Sequence, residues 1–478
     1  MHMMKKWFVL LLTLPLLQLQ ARVYLGAPFN DGMVLQQESK VLLWGKAAPG
    51  ASVTITPSWN YKNTVVQANA DGRWTARLQT PKGGFTPYAI TFNDGESPLV
   101  VRDVLVGEVW VATGQSNMEM PLQGWKDTPI DNSAAAIQQS IGYKGKLHFT
   151  YTPQALYAKE PQDSMPAQWH DCTPETAKDF SATAYYFATT LINALQVPVG
   201  IINCHRGGSN VEAWMPRELL ANYSDVDLSD KAYEKMNEHT PAGLYNAKVC
   251  PLKGYTIAGF IWYQGESNVG YANQDYANRL ATMVSRWRRD WKQGNLPFYF
   301  VEIAPFEYGD SAQVRAAFLR EQQVLASHRI PNSGMVCTNQ LVKPQEDKQI
   351  HPSNKQPIGV GLANWALAKT YKKENINYAS PEFKSMKIKN GRAYISFTHA
   401  KNGFNLHDGF KGFEVCGADR KFVPAKAIVK NGQIVVSSPD VAEPVAVRYC
   451  FRNFQIGNLA NNVKMPVIPF RTDNFEYQ

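Results

Sequence analysis

Val106-Gly107-Glu108-Val109-Trp110-Val111-Ala112-Thr113-Gly114-Gln115-Ser116-Asn117-Met118 is the stretch on which the fold turns. Residues 109–112 are apolar without alternation, the pattern of a strand buried on both faces. Gly114 ends the run, and a polar Gln-Ser-Asn group follows where a helix can begin. A serine in that place is held at the end of a strand, with its own N–H directed toward whatever its hydroxyl attacks. This arrangement suits acyl transfer, because one residue supplies both nucleophile and oxyanion donor. The same serine can also serve as a plain helix cap.

Working outward, 197–203, 257–263, 297–303 and 334–338 are further short apolar runs. Between them, 182–195, 275–291, 313–327 and 356–371 carry apolar residues at helical spacing. Strand and helix in alternation predict an α/β fold, a parallel sheet covered by helices on both faces. In such sheets the site lies at the C-terminal ends of the strands.

On either side the text changes. From Arg22 to about residue 105, short β-forming runs are cut by Pro-Gly, Asp-Gly and Gly-Gly signals, and the same texture returns after about residue 380. The expected division is an N-terminal β-sandwich-like module over 22–105, an α/β domain over 106–379, and a C-terminal β-sandwich-like module over 380–478. Residues 1–21 carry Lys5 and Lys6 ahead of an apolar run too short for a bilayer, which reads as a signal peptide. The expectation is export to the periplasm or beyond, with no membrane insertion after the leader is removed.

Composition narrows the class. The chain has 478 residues, 44% hydrophobic and 19% charged, which is globular and argues against broad disorder. The net charge is +9, but the densest basic cluster (Arg286, Arg288, Arg289, Lys292) lies on the solvated side of a helical pattern, so no nucleic-acid partner is expected. The six cysteines include no C-x-x-C pair, and bridges and free thiols both remain open. No zinc, P-loop or dinucleotide motif is present, so no metal or cofactor is expected.

A serine nucleophile needs a base. His351, in Gln349-Ile350-His351-Pro352, precedes a helical pattern, and the proline keeps it on a loop. His205 neighbours Arg206-Gly207-Gly208 and either lines the site or is structural. His148, His170, His239, His328 and His407 read as surface residues. Two more polar groups end buried strands. In 203–210 the paired glycines let backbone N–H groups approach a ligand. In Trp262-Tyr263-Gln264-Gly265-Glu266 the Gln264 amide is a candidate oxyanion donor, and Glu266 either orients it or ends a turn.

Taken in order, these pieces resemble the sialate O-acetylesterases of the SGNH hydrolase superfamily, the bacterial type with flanking β modules. The resemblance runs from Asp31-Gly32-Met33-Val34-Leu35-Gln36 through Gly114–Met118, Gly207-Gly208-Ser209, Trp262–Glu266 and His351-Pro352-x-Asn354-Lys355 to Pro469-Phe470-Arg471-Thr472-Asp473. It implies an SGNH-like sheet and an O-acetylated sialic acid or sialoglycan substrate. It also implies Ser116 as nucleophile, His351 as base, and Gly207 or Gly208 with Gln264, Asn117 and Glu266 around the oxyanion and substrate. One departure stands out. SGNH enzymes usually carry an acid three residues before the histidine, and here that residue is Lys348. Gln349, Asp347 or a backbone carbonyl is left to orient the ring, or the pair works as a dyad. An esterase for acetylated plant polysaccharide such as xylan is the rival within the class. A non-catalytic sugar-binding protein is the rival outside it.

Overall fold

The structure, a computed structural model, describes residues 23–271, 274–405 and 409–476. The leader expected over 1–21 lies outside the described residues, as does His407.

The opening stretch forms the middle of a mixed sheet. Strand β1 (Leu99–Gly114) pairs in parallel with β4 (Val199–His205) on one side and β5 (Gly259–Tyr263) on the other. Beyond β5 lie β6 (Phe298–Val301) and β7 (Ser333–Val336), also parallel. Beyond β4 lie β2 (Leu147–Tyr151), parallel, and β3 (Gln168–Asp171), antiparallel. The order is therefore β3-β2-β4-β1-β5-β6-β7. Strands β2 and β3 were not foreseen, because polar residues such as His148, Thr150 and Gln168 break their apolar runs.

Alternation along β1 feeds two layers. Trp110 and Ala112 join a core with helices α2 (Ala182–Leu195) and α5 (Gln356–Trp365). Val109 and Val111 join the opposite core, with α3 (Tyr276–Trp291) and α4 (Arg315–Arg329). Helices on both faces explain why these strands read as continuous apolar runs. The same second core takes in Val34, Leu43, Trp74 and Phe92 from the N-terminal sheets.

The N-terminal strands pair with the first half of β1: Gly84–Asn93 runs antiparallel to it and Val34–Gln36 parallel. Residue 105, where the turn-rich text ends, thus lies inside an unbroken strand that serves both sheets. The C-terminal region has two four-stranded antiparallel sheets around one core that includes Ile395, Val415, Val436 and Tyr449.

All six cysteines are unpaired, five of them buried. His148 corrects the surface reading: it is fully buried, with Nδ1 2.6 Å from the Gly32 carbonyl and Nε2 3.5 Å from Asp171. Among the described residues, no helix is long and apolar enough to cross a membrane, and no group of three or more His, Cys, Asp or Glu is placed to hold a metal.

Candidate active site

At the C-terminal edge of β1, Gly114 lies between His205 of β4 and Tyr263 of β5 in register. Its φ is +128°, and a Cβ there would stand 2.2 Å from the Tyr263 carbonyl oxygen. Only glycine fits, in conformation and in space. The Gln115 N–H then donates to that carbonyl at 2.8 Å. The Gln115 side-chain oxygen accepts from the N–H groups of Gly265 and Ser267, at 3.2 and 3.3 Å. This clamp fixes the turn, and Ser116 opens the short helix α1 (Ser116–Glu119) with no acceptor for its own N–H among the described residues.

The histidine arrives from the other end of the domain. His351 Nε2 lies 2.9 Å from Ser116 Oγ, across 235 residues of sequence. Burial, and after it the nearby Lys355 ammonium, pushes the imidazole down to about 4. The ring is therefore neutral at ordinary pH, and a neutral nitrogen beside a serine hydroxyl can take its proton.

Among the described residues, no charged side chain is hydrogen-bonded to that ring. No hydrogen bond to His351 Nδ1 is found among the described residues, and neither Gln349 nor Asp347 reaches it. The Gln349 side-chain oxygen accepts instead from the His351 backbone N–H at 3.2 Å. Asp347 offers its backbone carbonyl to the Glu307 N–H. Bracing of the loop falls to Glu346, whose carboxylate accepts from Lys343 N at 2.8 Å and Ser353 N at 3.0 Å. The Trp125 ring meets the His351 ring edge-on, centroids 4.9 Å apart.

The other expected residues gather here too, in different roles. Asn117 is buried and bridges three loops. Its amide nitrogen donates to Glu266 at 2.5 Å and to the Ile350 carbonyl at 3.0 Å, and its oxygen accepts from Lys355 Nζ. With both amide protons and its oxygen engaged, Asn117 ties the serine turn to the histidine loop. Glu266 is likewise buried, its carboxyl pushed up by burial. Lys355, fully buried, is pushed down to about 7 by the same cause, against the pull of Glu266 and Glu346. Gln264 corrects the oxyanion expectation. Its amide nitrogen donates to Ser209 O and Asn268 Oδ1, and its oxygen accepts from Tyr276 OH. Both amide protons are spent inside the protein.

A Cβ on Gly207 would stand 3.5 Å from Ser116 Cβ. The Gly207 N–H donates to the carboxylate of Glu119, which burial pushes up while Gly207, Arg206 and Lys248 oppose it. With its nitrogen toward Glu119, the Gln154 amide lies 3.1 and 3.0 Å from the two carboxylate oxygens. Gly208 has φ +75° and approaches Glu238. Glu119, Lys355, Glu346 and Trp125 were not singled out from the sequence. Only the first two had a visible signal, Glu119 one turn after the serine and Lys355 four residues after the histidine.

Comparison with known proteins agrees with the motifs. A family model described as carbohydrate esterase, sialic acid-specific acetylesterase, matches residues 106–371. The sialate O-acetylesterase of Pongo abelii is 28% identical over 459 residues, covering 88% of this chain and 86% of that protein. The one from Homo sapiens is 27% identical with the same coverage. A crystal structure of a carbohydrate acetylesterase from Xanthomonas citri matches with a TM-score of 0.84 at 32% identity, over 95% of this chain and 100% of that one. The chain belongs to the carbohydrate esterase, sialic acid-specific acetylesterase family, and is a carboxylic ester hydrolase.

Proposed function

We propose that this enzyme removes O-acetyl groups from sialic acids through an acetyl-serine intermediate on Ser116, with His351 as the only base. The observation that carries the mechanism is the 2.9 Å contact between Ser116 Oγ and a neutral His351 Nε2. Ser116 Oγ attacks the acetyl carbonyl carbon while its proton passes to Nε2. The oxyanion is held by the Ser116 N–H and by the N–H of Gly208, since that of Gly207 is taken by Glu119. Collapse breaks the ester bond, and the sugar oxygen leaves with the proton from His351. Water then attacks the acetyl-serine carbonyl and gives a proton to Nε2; collapse breaks the bond to Ser116 Oγ, which takes that proton back, and acetic acid leaves and ionises to acetate. Asn117, Glu266 and Lys355 hold the two loops in register, and the pair works as a dyad in an SGNH-like sheet.

We place this machinery in the domain over 106–379, between β modules over 22–105 and 380–478. The leader over 1–21 directs the chain to the periplasm or outside the cell. The name shared by the curated relatives supports the sialic acid reading. The 32% identical solved relative is described only as a carbohydrate acetylesterase, which favours other acetylated sugars as the second reading. Acetate release from a panel of O-acetylated sialic acids and acetylated xylan tests both. Turnover of xylan acetate with none of the sialates would sink the first reading.

A further inference from the structure

Of the eleven tryptophans among the described residues, only Trp125 is exposed, at 36% of its surface. Single exposed apolar residues are ordinary, but this one is placed by its turn rather than left over. The Trp125 N–H donates to the Thr128 carbonyl and the Thr128 N–H donates back, both at 3.1 Å, while the Gly124 N–H donates to Pro121 O at 2.8 Å. Gly124 sits at φ +77°, where a Cβ would stand 2.6 Å from the Thr128 carbonyl oxygen. Leu122 and Ile130, on either side of the turn, pack into the core with α2, and Trp125 does not. Its indole N–H has no acceptor among the described residues. Among the described residues, its aromatic contact is the edge-on meeting with His351.

The chemistry says what lies on that side of the histidine. The departing oxygen must take its proton from His351 Nε2, so the alcohol half of the ester has to reach His351. The acetyl half has to reach the Ser116 N–H, at the turn beside the Gly207 backbone. A sugar ring carries an apolar C–H face, and an exposed indole offers a broad rigid surface for it at little entropic cost. We infer that Trp125 is a substrate-binding residue whose exposed face carries the sugar of the leaving alcohol. The inference rests on the Ser116–His351 reading above and does not depend on which sugar is turned over. It makes Trp125 a determinant of alcohol specificity, with no part in acyl selection.

The test compares wild type, Trp125→Ala and Trp125→Phe on three acetate esters: an O-acetylated sialic acid, an acetylated glucose and ethyl acetate. All three give the same acetyl-serine, so differences report the alcohol half alone. Trp125→Ala is expected to lower kcat/KM for the sugar acetates about tenfold, mainly through KM, with most of the loss restored by phenylalanine. Ethyl acetate should fall by less than about threefold, given the contact with His351. An equal loss on all three esters, with the acid limb moving toward an ordinary histidine, would mean that Trp125 only shields His351, and would overturn the inference. No loss on any ester would overturn it as well. If wild type cleaves glucose acetate but no sialate, the substrate reading fails while the Trp125 comparison is still decided on glucose. Calorimetric titration of Ser116→Ala, with and without Trp125→Ala, reads the same sugar contact without turnover. There a tenfold weakening supports the inference and equal binding refutes it.

Discussion

Two histidines end up beside the serine turn, and only one touches the serine. His205 pairs across the sheet with Gly114 and is buried, with both ring nitrogens lacking hydrogen-bond partners among the described residues. His351 stands on a loop, half-buried, with Nε2 on Ser116. Burial pushes both imidazoles down, His205 to about 3 and His351 to about 4, each with a lysine adding to the effect. Their titration is thus nearly the same. What separates the two rings is 2.9 Å of reach to a hydroxyl, which the proposed base needs and which no property of the histidine alone supplies.

The strongest way to break this contrast is to remove its chemistry. Ser116→Ala is expected to cost on the order of 10⁶ in kcat, and His351→Ala a comparable amount, because the two act as a unit. Circular dichroism of both variants should match wild type. His205→Leu should stay within about tenfold of wild type, since it removes buried nitrogens that bond to nothing. If His205→Leu loses that much while His351→Ala stays close to wild type, the two assignments are reversed.

A second experiment sharpens the contrast through pH. Only neutral His351 accepts the Ser116 proton, so kcat/KM is lost as pH falls through the pKa of the folded enzyme. With that pKa at about 4, the profile should be flat above about pH 5 and half-maximal near about pH 4. A limb near about 6.5, the ordinary histidine value, would show a solvated or carboxylate-paired ring instead.

The smallest expected effects belong to the residues that the sequence offered as a third member. Asp347→Ala and Gln349→Ala should each cost less than about tenfold, against about 10⁴ when a true triad aspartate is replaced. Neither side chain reaches the His351 ring, and Gln349 holds only the backbone. A loss of about 10³ for Asp347→Ala would require the loop to bring that carboxylate onto Nδ1 and would refute the dyad.

The sequence by itself determined the strand-helix alternation and the end of β1 at Gly114, and it pointed to a serine and a histidine that the fold brings within 2.9 Å of each other. These rest on local rules: apolar runs, a glycine where no side chain fits, a proline that keeps His351 off a helix. It did not show that β1 continues through residue 105 into the N-terminal sheet, because turn signals mark where pairing changes and say nothing about strand continuity. It offered Gln264 and Asn117 as donors to substrate, and both amides are consumed by other partners: Gln264 by Ser209, 55 residues away, and by Asn268 on its own turn, Asn117 by the remote Glu266 and Ile350. Hydrogen-bond satisfaction of a buried amide is a property of three-dimensional neighbours. The absence of a carboxylate at His351 was visible as Lys348, but which group replaces it was not. In the tertiary structure Glu346 braces the loop, and among the described residues no hydrogen bond reaches Nδ1.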